Sequence, residues 1–276
     1  MISGTGNRMT QEIARQSRLA SNIADKQAQV STGKRLQRAS DDPAASSRVA
    51  TLNRAQANDG ARSRNISLGI TMTTQADSQL RNMSDLLART QQLTLAGANG
   101  TVSPIDRSTL ANEIRAMADD VDRMASMKSP TGEALFPNGN ANAIRFDDEV
   151  TFAPVPSRQE IFETGGVSIS QIMRDAASAI AAGDVAQTGN ALTAVGAAVN
   201  HTADANAKIG INAVRLDRLQ ENAALRAISL SEERSGLEDT DLSSAIAELN
   251  GMTLTLEAAQ AAFARINRTT LMDFLR

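Results

Sequence analysis

Ala245-Ile-Ala-Glu-Leu-Asn-Gly-Met-Thr-Leu-Thr-Leu-Glu-Ala-Ala-Gln-Ala-Ala-Phe-Ala-Arg-Ile266 is the stretch that decides the fold. Within it Ala245, Leu249, Met252, Leu256, Ala259, Phe263 and Ile266 recur in steps of four and three, and every one is apolar. A repeat of about 3.5 residues keeps one stripe turned toward a neighbouring helix, which is the coiled-coil pattern. Just upstream, Asp239, Thr240 and Asp241 offer side-chain oxygens to the unpaired N–H groups of a first helical turn. The pattern predicts a helix over about residues 241–271.

A weaker copy of this stripe stands at the other end of the chain. Met9, Ile13, Ala20, Ile23 and Val30 share one 4-3 register, interrupted by Gln16 and Gln27 and closed by Gly33. Residues 1–40 carry seven basic and two acidic side chains, whereas residues 232–276 carry four basic and eight acidic. Opposite charge on two apolar seams predicts that the ends pair. Screening within about 8 Å leaves most of that stabilisation to the apolar contact. Full burial of the ends is expected only when copies stack on one another.

Between the ends lie more helices. Asp42 as N-cap and Pro43 at the first helical position open one that runs through Val49, Leu52, Ile66, Leu80, Met83 and Leu87 to Gly97. Gly60 and Gly69 weaken its continuity. Ser103-Pro104-Ile105-Asp106 is a capping box that opens a second helix, with a seam of Leu110, Ile114, Met117, Val121 and Met124. A third helix is expected over about 184–231. Residues 130–168 break the pattern, with four Pro, four Phe and four Gly. There Ile144, Phe146, Val150 and Phe152 share one parity around the acidic turn Asp147-Asp148-Glu149, a strand signal. The expected fold is mainly α, a bundle of long helices with coiled-coil seams and a small β-containing insertion. Its expected parts are 1–42 with 240–276 as terminal helices, 43–129 with 169–239 as the bundle, and 130–168 as the insertion.

Composition removes several classes of function. The 276 residues include no Cys, Trp or Tyr, one His and six Phe. Disulfides, thiolate nucleophiles, Cys-based zinc sites and multi-His metal cages are thereby excluded. With 28 basic and 31 acidic residues the net charge is −3, giving no global attraction to nucleic acid or anionic membrane. The longest nearly apolar run, Ala191–Val199, has nine residues, against the roughly 20 that cross a bilayer. The chain is expected to be soluble, and any export to proceed without a cleaved leader.

No catalytic residue, cofactor or metal is assigned. His201 with Asp204 three residues on is taken as a solvated helix histidine, since nothing places a nucleophile beside it. Asp41-Asp42 is explained by capping, and Asp147-Asp148-Glu149 by a solvated turn. Lys34, Arg35 and Arg38, like Arg62 and Arg64, lack the stacking aromatics of a nucleic-acid surface. They are assigned to solvent or to salt bridges with a neighbouring subunit. Met117, Met124 and Met252 sit on seams as core filler.

Ser31-Thr-Gly-Lys-Arg-Leu36, Ala39-Ser-Asp-Asp-Pro-Ala-Ala-Ser-Ser-Arg48, Asp239-Thr-Asp-Leu-Ser-Ser-Ala-Ile246 and Leu254–Ile266 carry a further signal. In these segments, with Asp41, Asp42, Pro43 and Arg48 as the core motif, the chain resembles the flagellin superfamily of axial proteins. Within it, Pro43 and Ala262-Phe-Ala-Arg265 favour the subunits that join hook to filament. Flagellin itself, whose chains also close on Leu-Arg as Leu275-Arg276 does, is the alternative. A cytoplasmic coiled-coil scaffold is the rival of another class. The resemblance implies a structural subunit secreted unfolded through the flagellar type III export apparatus, with an export chaperone. It implies helical self-assembly between the first hook-associated protein and flagellin. Met9, Ile13, Ala20, Ile23, Val30, Ala245, Leu249, Met252, Leu256, Ala259, Phe263 and Ile266 would be the assembly contacts.

Overall fold

The computed structural model describes the backbone of residues 2–274 and the side chains of residues 9–265. The elements are α1 (Ile2–Thr32), α2 (Pro43–Gly97), α3 (Pro104–Ala125), β1 (Ile144–Arg145), β2 (Thr151–Phe152), α4 (Arg158–Phe162), β3 (Glu163–Thr164), β4 (Val167–Ser168), α5 (Ile169–Ala182), α6 (Val185–Glu238) and α7 (Leu242–Phe274). They fall into two compact units. A terminal unit holds residues 1–57 and 227–276, and a central unit holds residues 58–226.

Helix limits follow from local chemistry. Gly33 ends α1 with a left-handed φ of 68°, a conformation that costs a side chain bearing Cβ. Asp42 opens α2, its Oδ1 accepting the Ala45 N–H at 3.0 Å. Ser103 opens α3 by accepting the Asp106 N–H at 3.2 Å, and its own hydroxyl donates to the Asp106 carboxylate at 2.7 Å. Asp42→Ala should therefore cost about 1 kcal/mol. Amide exchange across residues 44–46 is the readout, and unchanged protection there would remove the cap from the account.

In the central unit one core joins α2, α3, α5 and α6. Leu80, Met83 and Leu87 meet Ile114 and Val121, Met173 and Ile180, and Val195 and Ile209, each at helical spacing and nearly solvent-free. The insertion belongs to this core, because Leu135, Phe136, Val155, Ile161 and Phe162 are part of the same cluster. Strands β1 and β2 pair antiparallel with Ile144 opposite Phe152, the expected hairpin around Asp147-Asp148-Glu149. Phe146 is fully buried in a second cluster with Ile66, Leu216 and Ala223, and its ring lies 4.7 Å from that of Phe152.

Gly69 does not interrupt α2. A Cβ there would stand 2.9 Å from Phe146 and 3.0 Å from Leu216, so the glycine makes room for the hairpin's aromatic ring. Three other features depart from expectation. Helix α6 continues to Glu238 rather than stopping near 231. Residues 130–168 also contain the short helix α4, with a Ser157–Glu160 capping box. A second hairpin pairs Thr164 with Val167 across Gly165 and Gly166, both at positive φ. Gly196 and Gly210, by contrast, have nothing within 4 Å of a notional Cβ, so neither permits a close approach inside the chain.

Candidate assembly interface

The terminal unit is built on α1 and α7. On α7, Ala245 is buried and Leu249, Met252, Leu256, Ala259 and Phe263 are half-buried, while the positions between them are exposed. The side chain of Ile266 lies outside the described residues. On α1 Glu12, Gln16, Leu19, Ile23, Lys26 and Val30 are covered in steps of four and three, joined near the end of the helix by Ala28 and Gln29. Ile23 and Val30 were expected there. Met9, Ile13 and Ala20 were not seen on that face; Met9 and Ile13 are 44% and 52% exposed, and Ala20 is exposed as well.

The register differs because polar side chains with long aliphatic stems do the covering. Glu12, Gln16 and Lys26 are half-buried on the seam, and the Gln16 amide nitrogen is itself shielded with no hydrogen-bond partner among the described residues. The Lys26 ammonium meets the Glu248 carboxylate across the helix pair at 2.6 Å. Apolar side chains are thereby left on the outside. Besides Met9 and Ile13, these are Leu242 and Ile246, both nearly half exposed, and Leu254, two-thirds exposed. A helix pair with apolar residues on two faces is suited to burying the second face against further chains.

The motif residues form a clasp in the same unit. The Thr240 N–H donates to the Gly33 carbonyl at 2.9 Å, and the Arg35 N–H to the Glu238 carbonyl at 2.7 Å. The Arg35 guanidinium reaches the Leu237 carbonyl at 3.0 Å, and the Lys34 ammonium the Glu238 carboxylate at 3.1 Å. These groups satisfy carbonyls at the C-terminus of α6, where the helix dipole favours cations. Asp41 ties the loop by accepting the Gln37 and Arg38 N–H groups at 3.1 and 2.8 Å. Arg48 donates to Glu233 at 2.6 Å. That hydrogen bond raises the Arg48 pKa and holds the Glu233 carboxyl below its ordinary value. Lys34 and Arg35, expected to face solvent or a neighbouring subunit, are thus engaged within the chain.

The acidic turn of the central unit is also no mere solvated loop. Arg226 of α6 donates to Asp147 at 2.8 Å, and Arg62 of α2 pairs with Asp59 at 3.2 Å, Asp147 at 3.5 Å and Asp148 at 2.5 Å. The hairpin tip is thereby fastened to two helices. The Arg226 hydrogen bond, helped by the Asp148 backbone N–H and the Arg62 charge, holds Asp147 below the ordinary carboxylate value of 3.8. A depressed folded-state pKa means the unfolded chain binds more protons in acid. The stabilisation is present above the unfolded value and lost as pH falls through the folded one. Asp147→Asn should lower the urea midpoint at about pH 7, with the gap to the parent narrowing toward about pH 2. A gap independent of pH would remove Asp147 from this role.

His201 also departs from expectation, because it is half-buried and its Nε2 is shielded with no hydrogen-bond partner among the described residues. It sits beside the buried Ala198 and Thr202 face of α6. No group of three His, Asp or Glu among the described residues is arranged to hold a metal ion, and no helix among them is long and apolar enough to cross a membrane.

Residues 7–141 match the bacterial flagellin N-terminal helical region, and residues 192–275 match the bacterial flagellin C-terminal helical region. The chain belongs to the flagellin superfamily. Among relatives of this superfamily, flagellin of Listeria innocua is 24% identical over 257 residues, covering 89% of this chain and 88% of that protein. Flagellar hook-associated protein 3 of Salmonella typhimurium is 31% identical over 123 residues, 43% of this chain and 38% of that protein. The fold resembles that of a flagellar hook-associated protein from Vibrio parahaemolyticus, with TM-score 0.64, 21% identity, and 72% of this chain and 100% of that chain covered. It also resembles Xanthomonas campestris FlgL, with TM-score 0.58, 14% identity, and 67% and 99% covered. As a flagellin-superfamily member, the protein is a structural subunit of the bacterial flagellum.

Proposed function

We propose that the protein forms the junction between hook and filament, stacking helically on copies of itself. The observation that carries assembly is the helix pair α1–α7, which covers one apolar stripe and leaves Met9, Ile13, Leu242, Ile246 and Leu254 outside. The junction position is supported by Pro43 after the two aspartates, by the Ala262–Arg265 stretch, and by the 31% identity to Salmonella hook-associated protein 3. In this reading residues 1–42 and 240–276 are the assembly core, 43–129 and 169–239 the surrounding bundle, and 130–168 an insertion on it. The subunit is secreted through the type III export apparatus with a chaperone. It meets the first hook-associated protein on one side and flagellin on the other.

A filament subunit is the second reading, favoured by the match to Listeria innocua flagellin over 88% of that protein's length. Deleting the gene separates the two. A junction subunit leaves complete hooks without filaments, with flagellin shed into the medium, and immunogold labels one spot at the hook tip. Label along whole filaments would overturn the junction reading in favour of flagellin.

A further inference from the structure

Two patches of the central unit are unused by the fold. On α6, Ile211 is 68% exposed and Val214 53% exposed. Each is two positions from a buried neighbour, Ile209 or Leu216, and so lies about 200° round the helix from the core. With Ala207, Gly210 and Arg218 they line an open groove. Gly210 borders it with empty space where a Cβ would stand, and costs the helix about 1 kcal/mol relative to Ala with no contact in the chain to offset it. Arg218 has no ion-pair partner among the described residues.

The second patch lies between α2 and α3, lined by Asn82, Asp85, Leu86, Asp120, Arg123, Met124 and Met127. Leu86, Met124 and Met127 are half-buried. Asp120 is paired with Arg123, whereas Asp85 has no ion-pair partner among the described residues. One groove therefore presents branched apolar side chains and a free cation. The other presents adaptable Leu and Met side chains and a free carboxylate.

We propose that the α6 groove of one copy seats on the α2–α3 groove of a second copy. Ile211 and Val214 lie on Leu86, Met124 and Met127, and Arg218 faces Asp85. The two patches differ, so the contact is heterologous and propagates instead of closing into a dimer. This proposal rests on the reading above that copies stack, and it names the faces that do so in the central unit.

The absence of cysteine from the chain gives a clean test. Leu86→Cys and Ile211→Cys are combined in one chain, expressed in a deletion strain, and oxidised in isolated flagella. The expected result is a ladder of dimers, trimers and larger species joined 86 to 211, with neither single variant giving a ladder. Incorporation without that ladder overturns the docking while leaving the flagellar role intact. Dimers from Ile211→Cys alone, or crosslinks to a different flagellar protein, overturn it equally. Absence of the parent chain from flagella overturns the functional reading and the docking with it. If the double variant fails to incorporate, a charge exchange decides. Arg218→Glu should cut incorporation roughly tenfold through like-charge repulsion, with the melting curve unchanged, and Asp85→Lys should restore it. Failure of that rescue overturns the pairing.

Discussion

Phe263→Asp is expected to abolish incorporation into the flagellum while the central unit melts as in the parent. Phe263 is half-buried on the covered face of α7, in the same stripe as Leu256 and Ala259. A carboxylate in that stripe has to be desolvated, at a cost the seam does not otherwise bear. Loosening α7 from α1 also removes the scaffold that presents the outer apolar stripe. A loss of roughly hundredfold in assembled subunit follows if about 3 kcal/mol of seam stabilisation is removed. Immunoblotting of purified flagella measures the first effect, and circular dichroism of the purified monomer the second. Normal-length filaments in a strain carrying only this variant would show that the seam does not support assembly.

Phe146→Ala should do the opposite, damaging the central unit first. The ring is fully buried and fits the space that Gly69 leaves open beside Leu216. Removing it opens a cavity between two rigid helices that cannot collapse onto each other. The expected cost is about 3–5 kcal/mol, or a fall in Tm of roughly 10 °C for a unit of this size. The hairpin tip would loosen as well, because Asp147 is the next residue and loses its fixed position against Arg62 and Arg226. Calorimetry on the full chain resolves this. A cost under about 1 kcal/mol would mean that α2 and α6 close the gap.

How far the sequence could be read depended on whether partners were near in the chain or polar in type. Helix starts at Asp42 and Ser103 and the stop at Gly33 were legible because caps act within three or four residues. The α7 stripe was legible because all its members are apolar. On α1 Ile23 and Val30 keep the expected register, whereas Ile13 and Ala20 each stand one position from a covered residue, because half-buried Glu12, Gln16 and Lys26 count as polar letters. Leu19, the bulkier neighbour of Ala20, was the available clue. The ion network was out of reach because Arg62 and Asp148 stand 86 positions apart, and Arg226 and Asp147 79 apart. The second hairpin did have a signal, Gly165-Gly166, but strands of two residues are too short for any alternation to register.

The clasp joins residues 204 positions apart, Lys34 and Glu238. The central unit has its own core and depends on neither partner. The terminal unit, by contrast, cannot latch until almost the whole polypeptide has emerged. A product broken off before residue 238 would keep a folded middle yet leave α1 with nothing to grip.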